Sequence, residues 1–314
     1  QPAYGSNSAL TVNGTLNLLD KMLLNVHQIT IAGTLTVTST SATINADEGE
    51  ALSTATFNLI PVTDTTPSTL CFYQGPKYIP THWVFHEGIT FLGTDTRVYD
   101  IGEFAFREGL FETDGAVNSM YTISSRGATL KGDWTVCTVE VNPGTLNIDG
   151  NVNCLFLRVS GGSDPAILSI PEGSTVAVER RENYGSIKLT TDRNAQILVN
   201  GTLRMGRQLN VKLNGNGPIV GTGVVDARAN NSWGNQQPVF LVDDTWIKVD
   251  DIDWDRAAYA DLIAKSLTIQ KSWATRPALT KPASVTVNAG EEAVFSVEAK
   301  YTDSYQWFYK TSAD

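Results

Sequence analysis

Short segments in which apolar and polar residues alternate recur along the chain, and each of them follows a glycine. Four copies share a Gly-Thr-Leu start, at residues 14–18, 33–37, 144–148 and 201–205, and looser copies lie at residues 127–130 and 173–178. Alternation with a period of two predicts a short β-strand with one buried face, and the glycine is expected to supply the positive φ of a tight corner. The residues predicted to point inward are Leu16, Leu18, Leu35, Val37, Leu146, Ile148, Leu203 and Met205.

A second repeat lies in the aromatic middle of the chain, where Phe-x-Glu-Gly occurs at residues 85–88 and 106–109, 21 residues apart. Gly88, Gly109, Gly127 and Gly144 follow one another at steps of 21, 18 and 17 residues. Steps of this size match one coil of a β-solenoid, in which each coil holds two or three short strands and stacks on the next. A β-sandwich also has short strands and frequent turns, but it does not predict the same corner at this spacing. The sequence therefore favours an all-β fold, a right-handed parallel β-helix with short caps over residues 1–275, with a sandwich as the alternative.

Two segments are candidates for the caps that cover the open ends of such a solenoid. Residues 19–26 have apolar positions at helical spacing, yet the 19-residue step from Gly14 to Gly33 also fits a coil, so a helix and a strand both remain open. Residues 255–265 are the clearest helix, with Asp255 as a candidate N-cap. The sequence thus predicts a helical cap after the last coil.

The chain changes character after residue 275. Residues 276–283 contain Pro277 and Pro282 and are predicted as a linker, and strand-like runs follow at 284–288, 293–299 and 304–310. These runs, with Gly-Glu-Glu-Ala-Val-Phe at 290–295 and Tyr-Gln-Trp at 305–307, resemble the opening of bacterial immunoglobulin-like surface repeats. The resemblance implies that residues 284–314 form part of an Ig-like domain with Trp307 in its core. A full domain has roughly 100 residues, so we expect further chain to complete it; the alternative is a β-hairpin tail packed on the solenoid.

A second resemblance concerns residues 221–228, Gly-Thr-Gly-Val-Val-Asp-Ala-Arg, which are followed by Trp233. They resemble the Gly-x-Gly-x-Ile-Asp-Gly signature of the polygalacturonase-like enzymes, which have the right-handed pectin-lyase-like β-helix. In that family the segment is a structural corner, and catalysis needs further motifs that include Gly-His-Gly. No histidine follows His86 in this chain, and Asp243-Asp244 follows the signature too closely to be the family's Asp-Asp pair. The resemblance therefore supports the fold and counts against pectinase-type hydrolysis.

Composition narrows the classes of partner. The 314 residues include 23 Lys and Arg against 33 Asp and Glu, a formal net charge of −10, so the chain lacks the excess of cations that nucleic acid or anionic lipid requires. No apolar run approaches the roughly 18 residues of a membrane span, and we expect no membrane insertion. Thr, Ser and Asn supply most of the polarity, which is typical of extracellular β-proteins. We therefore predict an extracellular location, at a bacterial cell surface or in a virion.

Glycoside cleavage needs two carboxylates roughly 5–10 Å apart, one of them with a raised pKa. Glu87 and Glu108 are the best candidate catalytic pair, because the repeat places them at equivalent positions one coil apart. Stacked strands lie about 4.8 Å apart, which would bring the two carboxyl groups near the distance of a retaining glycosidase. The favoured alternative is a solvated acidic ladder beside His86 and Arg107.

Other candidate chemistry is weaker. Asp251, Asp253 and Asp255 would share one face of a strand and could hold Ca²⁺, although a solvated surface is the favoured interpretation; no other cofactor is expected. Tyr73, Tyr78 and Trp83 are candidates for a platform on which glycans stack, whereas alternation such as Trp83-x-Phe85 favours a role in the core. Cys137 and Cys154, 17 residues apart, are expected to stack in the core, or to form a bridge in an oxidising compartment.

These patterns predict a non-catalytic extracellular structural or adhesive protein: a stalk, fibre or filament subunit of a bacterial surface or a phage virion. The alternative is a glycan-binding or glycan-cleaving β-helix of the phage tailspike type. Expected partners are a surface glycan, a host surface or further copies of the chain, as a trimer or an end-to-end filament, and not nucleic acid. The absence of the polygalacturonase-like catalytic motifs is the observation that favours the non-catalytic function over the glycan-cleaving one.

Overall fold

The computed structural model describes residues 8–63, 66–73, 81–92, 102–119, 121–179, 187–192, 194–214, 218–228, 237–254 and 262–270, with residues 278–279, 286, 288, 290, 292, 294 and 299–300. Within these residues the protein is all-β, and its one helical element is a 3-10 turn, Val249–Asp251. Most strands belong to a long and mostly parallel sheet. This part of the prediction is confirmed.

The strands follow one another along the chain through three ladders, which we call the first, second and third faces. Five long strands turn a corner, so that their two halves belong to different faces. These are β3 (Leu23–Ile31), β5 (Ala42–Ala51), β11 (Gly109–Asn118), β13 (Ala128–Thr135) and β15 (Gly144–Cys154). One pass through all three faces makes a coil, and the cyclic order is consistent with a β-solenoid.

Each face is a parallel ladder completed by halves of those long strands. The first face starts with the first halves of β3 and β5 and continues with β7 (Ser68–Tyr73), β10 (Gly102–Phe106), β12 (Thr122–Ser125), β14 (Thr138–Val141), β16 (Phe156–Val159), β19 (Ile187–Thr191), β22 (Leu209–Lys212) and β25 (Val239–Val242). The second face contains β1 (Ala9–Val12), the second halves of β3 and β5, β8 (Thr81–Phe85), the first halves of β11, β13 and β15, then β17 (Ala166–Ile170), β20 (Ala195–Val199) and β23 (Ile219–Gly221).

The third face has two parts, because no described pairing joins β9 to β11. Its first part is a separate four-stranded sheet of β2 (Thr15–Leu18), β4 (Thr34–Val37), β6 (Thr56–Leu59) and β9 (Thr90–Leu92). Its second part contains the second halves of β11, β13 and β15, then β18 (Thr175–Val178), β21 (Thr202–Met205), β24 (Val224–Asp226) and β27 (Thr268–Gln270). Two pairings are antiparallel: β25 with β26 (Thr245–Lys248), and β28 (Ala278–Leu279) with β29 (Ala299–Lys300).

Columns of apolar side chains in register form the core. On the first face one column contains nine residues, each at most 2% exposed: Ala42, Leu70, Phe104, Ile123, Val139, Leu157, Leu189, Val211 and Phe240. A single coil cannot bury its inward residues, whereas stacked coils bury them against one another. Burial of apolar surface along each column therefore holds the stack together.

Of the eight residues predicted to point inward, seven are buried, from Leu18 to Met205. Leu16 is half-buried and packs against the edge of the core, because it belongs to the first described coil. The structure also decides between the two alternatives for residues 19–26. Residues from Leu23 onward form strand β3, so this segment belongs to a coil of the solenoid and is not a helix.

The corner glycines serve two different purposes. Gly127, Gly144 and Gly173 have the predicted positive φ. Gly33 and Gly201 do not have a positive φ, and are required because the backbone of the preceding coil lies very close to them. A Cβ at position 33 would lie 2.2 Å from the carbonyl oxygen of Gly14, and a Cβ at position 201 would lie 2.2 Å from that of Pro171. The prediction of positive φ at every corner was therefore wrong for Gly33 and Gly201, and for Gly14, whose φ is not positive either.

The predicted caps and C-terminal domain are tested only in part. Residues 255–261 and Trp307 lie outside the described residues, as does most of the segment from 276 to 314. Residues 262–265 are a turn rather than a helix, and Ile263 forms an isolated parallel bridge with Ile219. The proposed linker and Ig-like boundaries therefore stay predictions.

Candidate functional site

Glu87 and Glu108 are both exposed, but they lie at different corners of the coil. Glu87 follows β8, at the corner between the second and third faces, whereas Glu108 precedes β11, at the corner between the first and second faces. In the β8–β11 ladder Gly109 pairs with Thr81, so Glu108 is level with the start of β8 and not with its end. The expected one-coil spacing of these two carboxylates is therefore wrong, because the similar sequences fill different corners.

Glu87 instead lines an open depression of about 470 Å³, within the roughly 300–1,000 Å³ of small-ligand pockets. The lining residues are Glu50, Leu52, Ser53, Thr54, His86, Glu87 and Asp114. They come from three consecutive coils: the end of β5 and the corner after it, the corner after β8, and β11. Three of these seven residues are acidic and one is a histidine.

His86 is the centre of this group. Its Nδ1 lies 2.5 Å from Asp114 Oδ2 and its Nε2 lies 2.9 Å from Glu50 Oε1. The second carboxylate oxygen of Asp114 accepts a hydrogen bond of 2.8 Å from the backbone N–H of Glu87. Hydrogen bonds from the ring of His86 to Glu50, and then to Asp114, raise the pKa of His86 above 6.5. The bond to Asp114 also lowers the pKa of that carboxyl group below 3.8.

All three histidines of the chain contact carboxylates on neighbouring coils. His27 Nδ1 lies 2.7 Å from Asp47 Oδ2, and His82 Nε2 lies 3.4 Å from Glu112 Oε2. Glu112 also accepts a 2.8 Å hydrogen bond from Lys131 Nζ, which is the main cause of its lowered pKa. Sequence reasoning missed these pairs because the partners are 19 to 36 residues apart.

The aromatic candidates separate into surface and core. Tyr73 is 53% exposed, at the end of β7, so its ring remains open to a ligand. Trp83 is completely buried and packs against Phe72, with ring centroids 4.8 Å apart. It therefore cannot stack on a glycan, and the core interpretation of the alternating pattern applies. Tyr78 lies outside the described residues.

The described residues of the predicted calcium site, Asp251 and Asp253, do not form a strand. Asp251 ends the 3-10 turn, and both Asp251 and Asp253 are exposed; Asp255 lies outside the described residues. Asp251 and Asp253 flank buried Ile252, and the predicted face shared with Asp255 stays a prediction. Among the residues that the structure describes, no group of His, Cys, Asp and Glu side chains is arranged to hold a metal ion.

A second charged cluster lies on the third face, where sequence reasoning had placed only a structural corner. Asp226 is 8% exposed and binds Arg228 through two contacts, Nε to Oδ1 at 2.8 Å and Nη2 to Oδ2 at 3.0 Å. Arg204, the register partner of Asp226, has its Nε 3.8 Å from Asp226 Oδ2 and 3.6 Å from Glu179 Oε1. The signal was present: Arg204 and Asp226 both stand three residues after a corner glycine.

The two carboxyl groups of this cluster have pKa values shifted in opposite directions. The hydrogen bonds from Arg228 hold the pKa of Asp226 below 3.8. Burial raises the pKa of Glu179 above 4.5, and the nearby negative charge of Asp226 adds to this against the effect of Arg204. Two carboxyl groups that share one arginine and have pKa values shifted apart are a feature of acid–base sites, although ion-pair networks also produce this pattern.

The three cysteines, Cys71, Cys137 and Cys154, are buried thiols. The backbone N–H groups of Leu155 and Phe156 donate to the carbonyl of Cys137, at 2.9 and 3.1 Å, so Cys137 and the end of β15 are in adjacent coils. The described part of the chain contains no helix long and apolar enough to cross a membrane.

The comparisons with known proteins give no relative from which a function can be transferred. The chain matches no protein-family model, and no curated protein or solved structure shows significant similarity to it. Functional inference therefore depends on the fold and on the geometry given above.

Proposed function

We propose that this protein is a non-catalytic structural or adhesive protein, a rigid β-helical stalk, fibre or filament subunit displayed outside the cell on a bacterial surface or a phage virion. The observation that carries the proposal is the continuity of the parallel ladders along the first and second faces. The second face continues coil by coil from β1 to β23, and inward positions along it are used for packing. A stack of this kind suits presentation of a surface at a distance.

The side chains on the outer surface support the same role. Asn45 Nδ2 donates to Asn25 Oδ1 at 3.0 Å, and Asn151 Nδ2 donates to Asp133 Oδ1 at 2.8 Å; each bond joins equivalent positions of adjacent coils. Polar residues thus reinforce the stacking instead of converging on a deep cleft. We further propose a right-handed winding, supported by the likeness of residues 221–228 to the pectin-lyase-like signature and by the right-handed preference of parallel crossovers.

The experiment is immunogold electron microscopy of the producing cells or virions, with antibodies raised against the purified chain. Labelling of external fibres or of the envelope surface is expected. Labelling confined to the cell interior would overturn the proposal. Sedimentation velocity of the purified chain tests the associated prediction of self-assembly, as a trimer or an end-to-end filament.

Glycan binding or cleavage is the second candidate function, and the Glu179–Asp226 pair favours it. With its raised pKa Glu179 would act as the acid, and Asp226 would remain ionised. The test is reducing-sugar release from bacterial surface polysaccharides by the wild-type chain and by Glu179→Gln, with Glu87→Gln/Glu108→Gln as the matched control. The non-catalytic proposal expects no release from any of them; release that Glu179→Gln abolishes and the control retains would establish the enzyme.

A further inference from the structure

Both ring nitrogens of His86 face carboxylates, one from the coil before and one from the coil after. Nε2 is 2.9 Å from Glu50 at the end of β5, and Nδ1 is 2.5 Å from Asp114 in β11. A neutral imidazole has one N–H and can donate to only one of these groups, whereas the imidazolium donates to both. The arrangement is therefore fully satisfied only when His86 is protonated.

At the corner after β8, the backbone is hydrogen-bonded to the preceding coil, whereas the side chain of His86 connects the corner to the next coil. The corner after β8 is bonded to the preceding coil through its backbone, since His86 N donates to Ala51 O and Thr90 N donates to Ala55 O, both at 2.9 Å. The β8–β11 ladder, in contrast, ends at the pair Phe85–Thr113. Beyond that pair, the described hydrogen bonds from this corner to β11 run through the carboxylate of Asp114, which accepts from His86 and from the N–H of Glu87.

We propose that His86 is a proton-dependent clamp that fastens three consecutive coils together and releases the corner after β8 from β11 when it loses its proton. The register of β11 against β13 shifts between Glu112 and Ala116, so Asp114 belongs to an irregular segment that can move without breaking a regular ladder. Asp114 and His86 are the two parts that separate.

The charged groups around His86 determine what release would do. Glu50 of β5, Asp114 of β11 and Glu87 of the same corner all line the depression. Glu112, two residues before Asp114 in β11, is already paired with His82 and Lys131. Loss of the imidazolium charge leaves three carboxylates facing one depression, with no cation among the described residues that line it, and their repulsion favours opening.

The pKa directions set the pH window. The pKa of His86 is raised above its ordinary 6.5 in the folded chain, so the clamp contributes fully below that value and is lost as the pH rises through the raised pKa. The pKa of Asp114 is lowered below 3.8, so its contribution is present above that value and is lost only as the pH falls through the lowered pKa. The clamp is therefore closed between the lowered pKa of Asp114 and pH 6.5, and it opens as the pH rises through the raised pKa of His86.

Histidine NMR titration of the folded full chain tests the first half of the proposal, with His86→Gln used to assign the resonance. We expect the pKa of His86 to exceed 6.5, and to fall towards that value in Glu50→Gln and in Asp114→Asn. The matched control is Glu108→Gln, an exposed carboxylate at another corner, which should leave it unchanged. A pKa at or below 6.5 in the wild-type chain would overturn the clamp.

Hydrogen exchange tests the second half, and distinguishes a clamp from a static ion pair. After correction for intrinsic rates, the Glu87 amide should exchange faster above the pKa of His86, by about tenfold for each unit by which that pKa is raised. The Thr90 amide, bonded to Ala55, should remain protected as the internal control. In Asp114→Asn the pH dependence at Glu87 should vanish. Exchange at Glu87 that ignores the protonation of His86 would show that nothing opens, and the proposal would be wrong.

Discussion

Gly49 and Trp83 are register partners in adjacent strands of the second face, and the indole of Trp83 fills the space that a side chain at position 49 would need. A Cβ at position 49 would lie 2.1 Å from Cε2 of the indole. Both residues belong to one inward column, in which the other members are large: Ile29, Phe111, Leu130 and Ile148. The smallest and the largest side chains of the column thus share the space of two coils.

Gly49→Ala should destabilise the fold, by about 1–3 kcal/mol, which is typical of overpacking in a filled core. The indole is completely buried and cannot move aside without displacing Phe72 and Phe85. Chemical denaturation followed by tryptophan fluorescence measures the effect. The matched control is Gly14→Ala, at an exposed corner where a Cβ meets nothing within 4 Å; equal stability of the two variants would contradict the packing argument.

Tyr121→Phe should cost about 1–3 kcal/mol, because it leaves the buried N–H of Leu59 without a partner. The hydroxyl of Tyr121 accepts a hydrogen bond from Leu59 N at 3.0 Å and donates to Leu92 O at 2.5 Å, and so ties β12 to the ends of β6 and β9. Thermal or chemical unfolding measures the loss, with the exposed Tyr73→Phe as control. Burial raises the pKa of Tyr121 to about 12, so ultraviolet titration should show one tyrosine that ionises last; a normal phenol pKa for it would contradict the buried contact.

The sequence predicted the stacking well, because the buried positions repeat with a period of two behind recognisable corners. Leu35, Leu146 and Leu203 could be assigned to the core from the residues alone. The geometry of the corners could not be predicted from the residues. Gly144 stands at the start of the second face and Gly201 precedes the third, yet both are followed by Thr-Leu. A coil with three corners can use one local sequence at more than one of them.

This ambiguity explains why the candidate site was harder to predict. Glu87 and Glu108 occupy similar sequence motifs, but whether they occupy equivalent positions in the coil depends on which strands pair, and the sequence does not show this. The charged clusters around His86 and Asp226 join residues from separate coils, and their spacing depends on loops of unequal length. Only Arg204 and Asp226, each three residues after a corner glycine, left a signal that could have been read.

Leu146→Asp should cost at least about 3 kcal/mol, because it places an unpaired charge in the core. Leu146 is completely buried and pairs in register with Leu168, another buried leucine, so no cation is at hand. The matched control is Asn147→Asp, which puts the same carboxylate on the exposed side of the same strand. Circular dichroism during denaturation compares the two. Similar stabilities would mean that the two sides of β15 are equally solvated, against the solenoid core.

Asp226→Asn should destabilise the third face at neutral pH, and the difference from the wild-type chain should close as the solution is acidified. The carboxylate of Asp226 is mostly buried and receives two hydrogen bonds from the Arg228 guanidinium, which an amide cannot replace with equal strength. Because these bonds hold the pKa of Asp226 below 3.8 in the folded state, the stabilisation is present above that value and is lost as the pH falls through the lowered pKa. Denaturant midpoints of both chains, measured from neutral pH down to the acid limit of folding, give the comparison.

Asp133→Asn, which alters an exposed carboxylate on the same face, is the control and should show no such convergence. A constant gap between Asp226→Asn and wild type over the whole range would mean that the ionised carboxylate is not the source of the stabilisation.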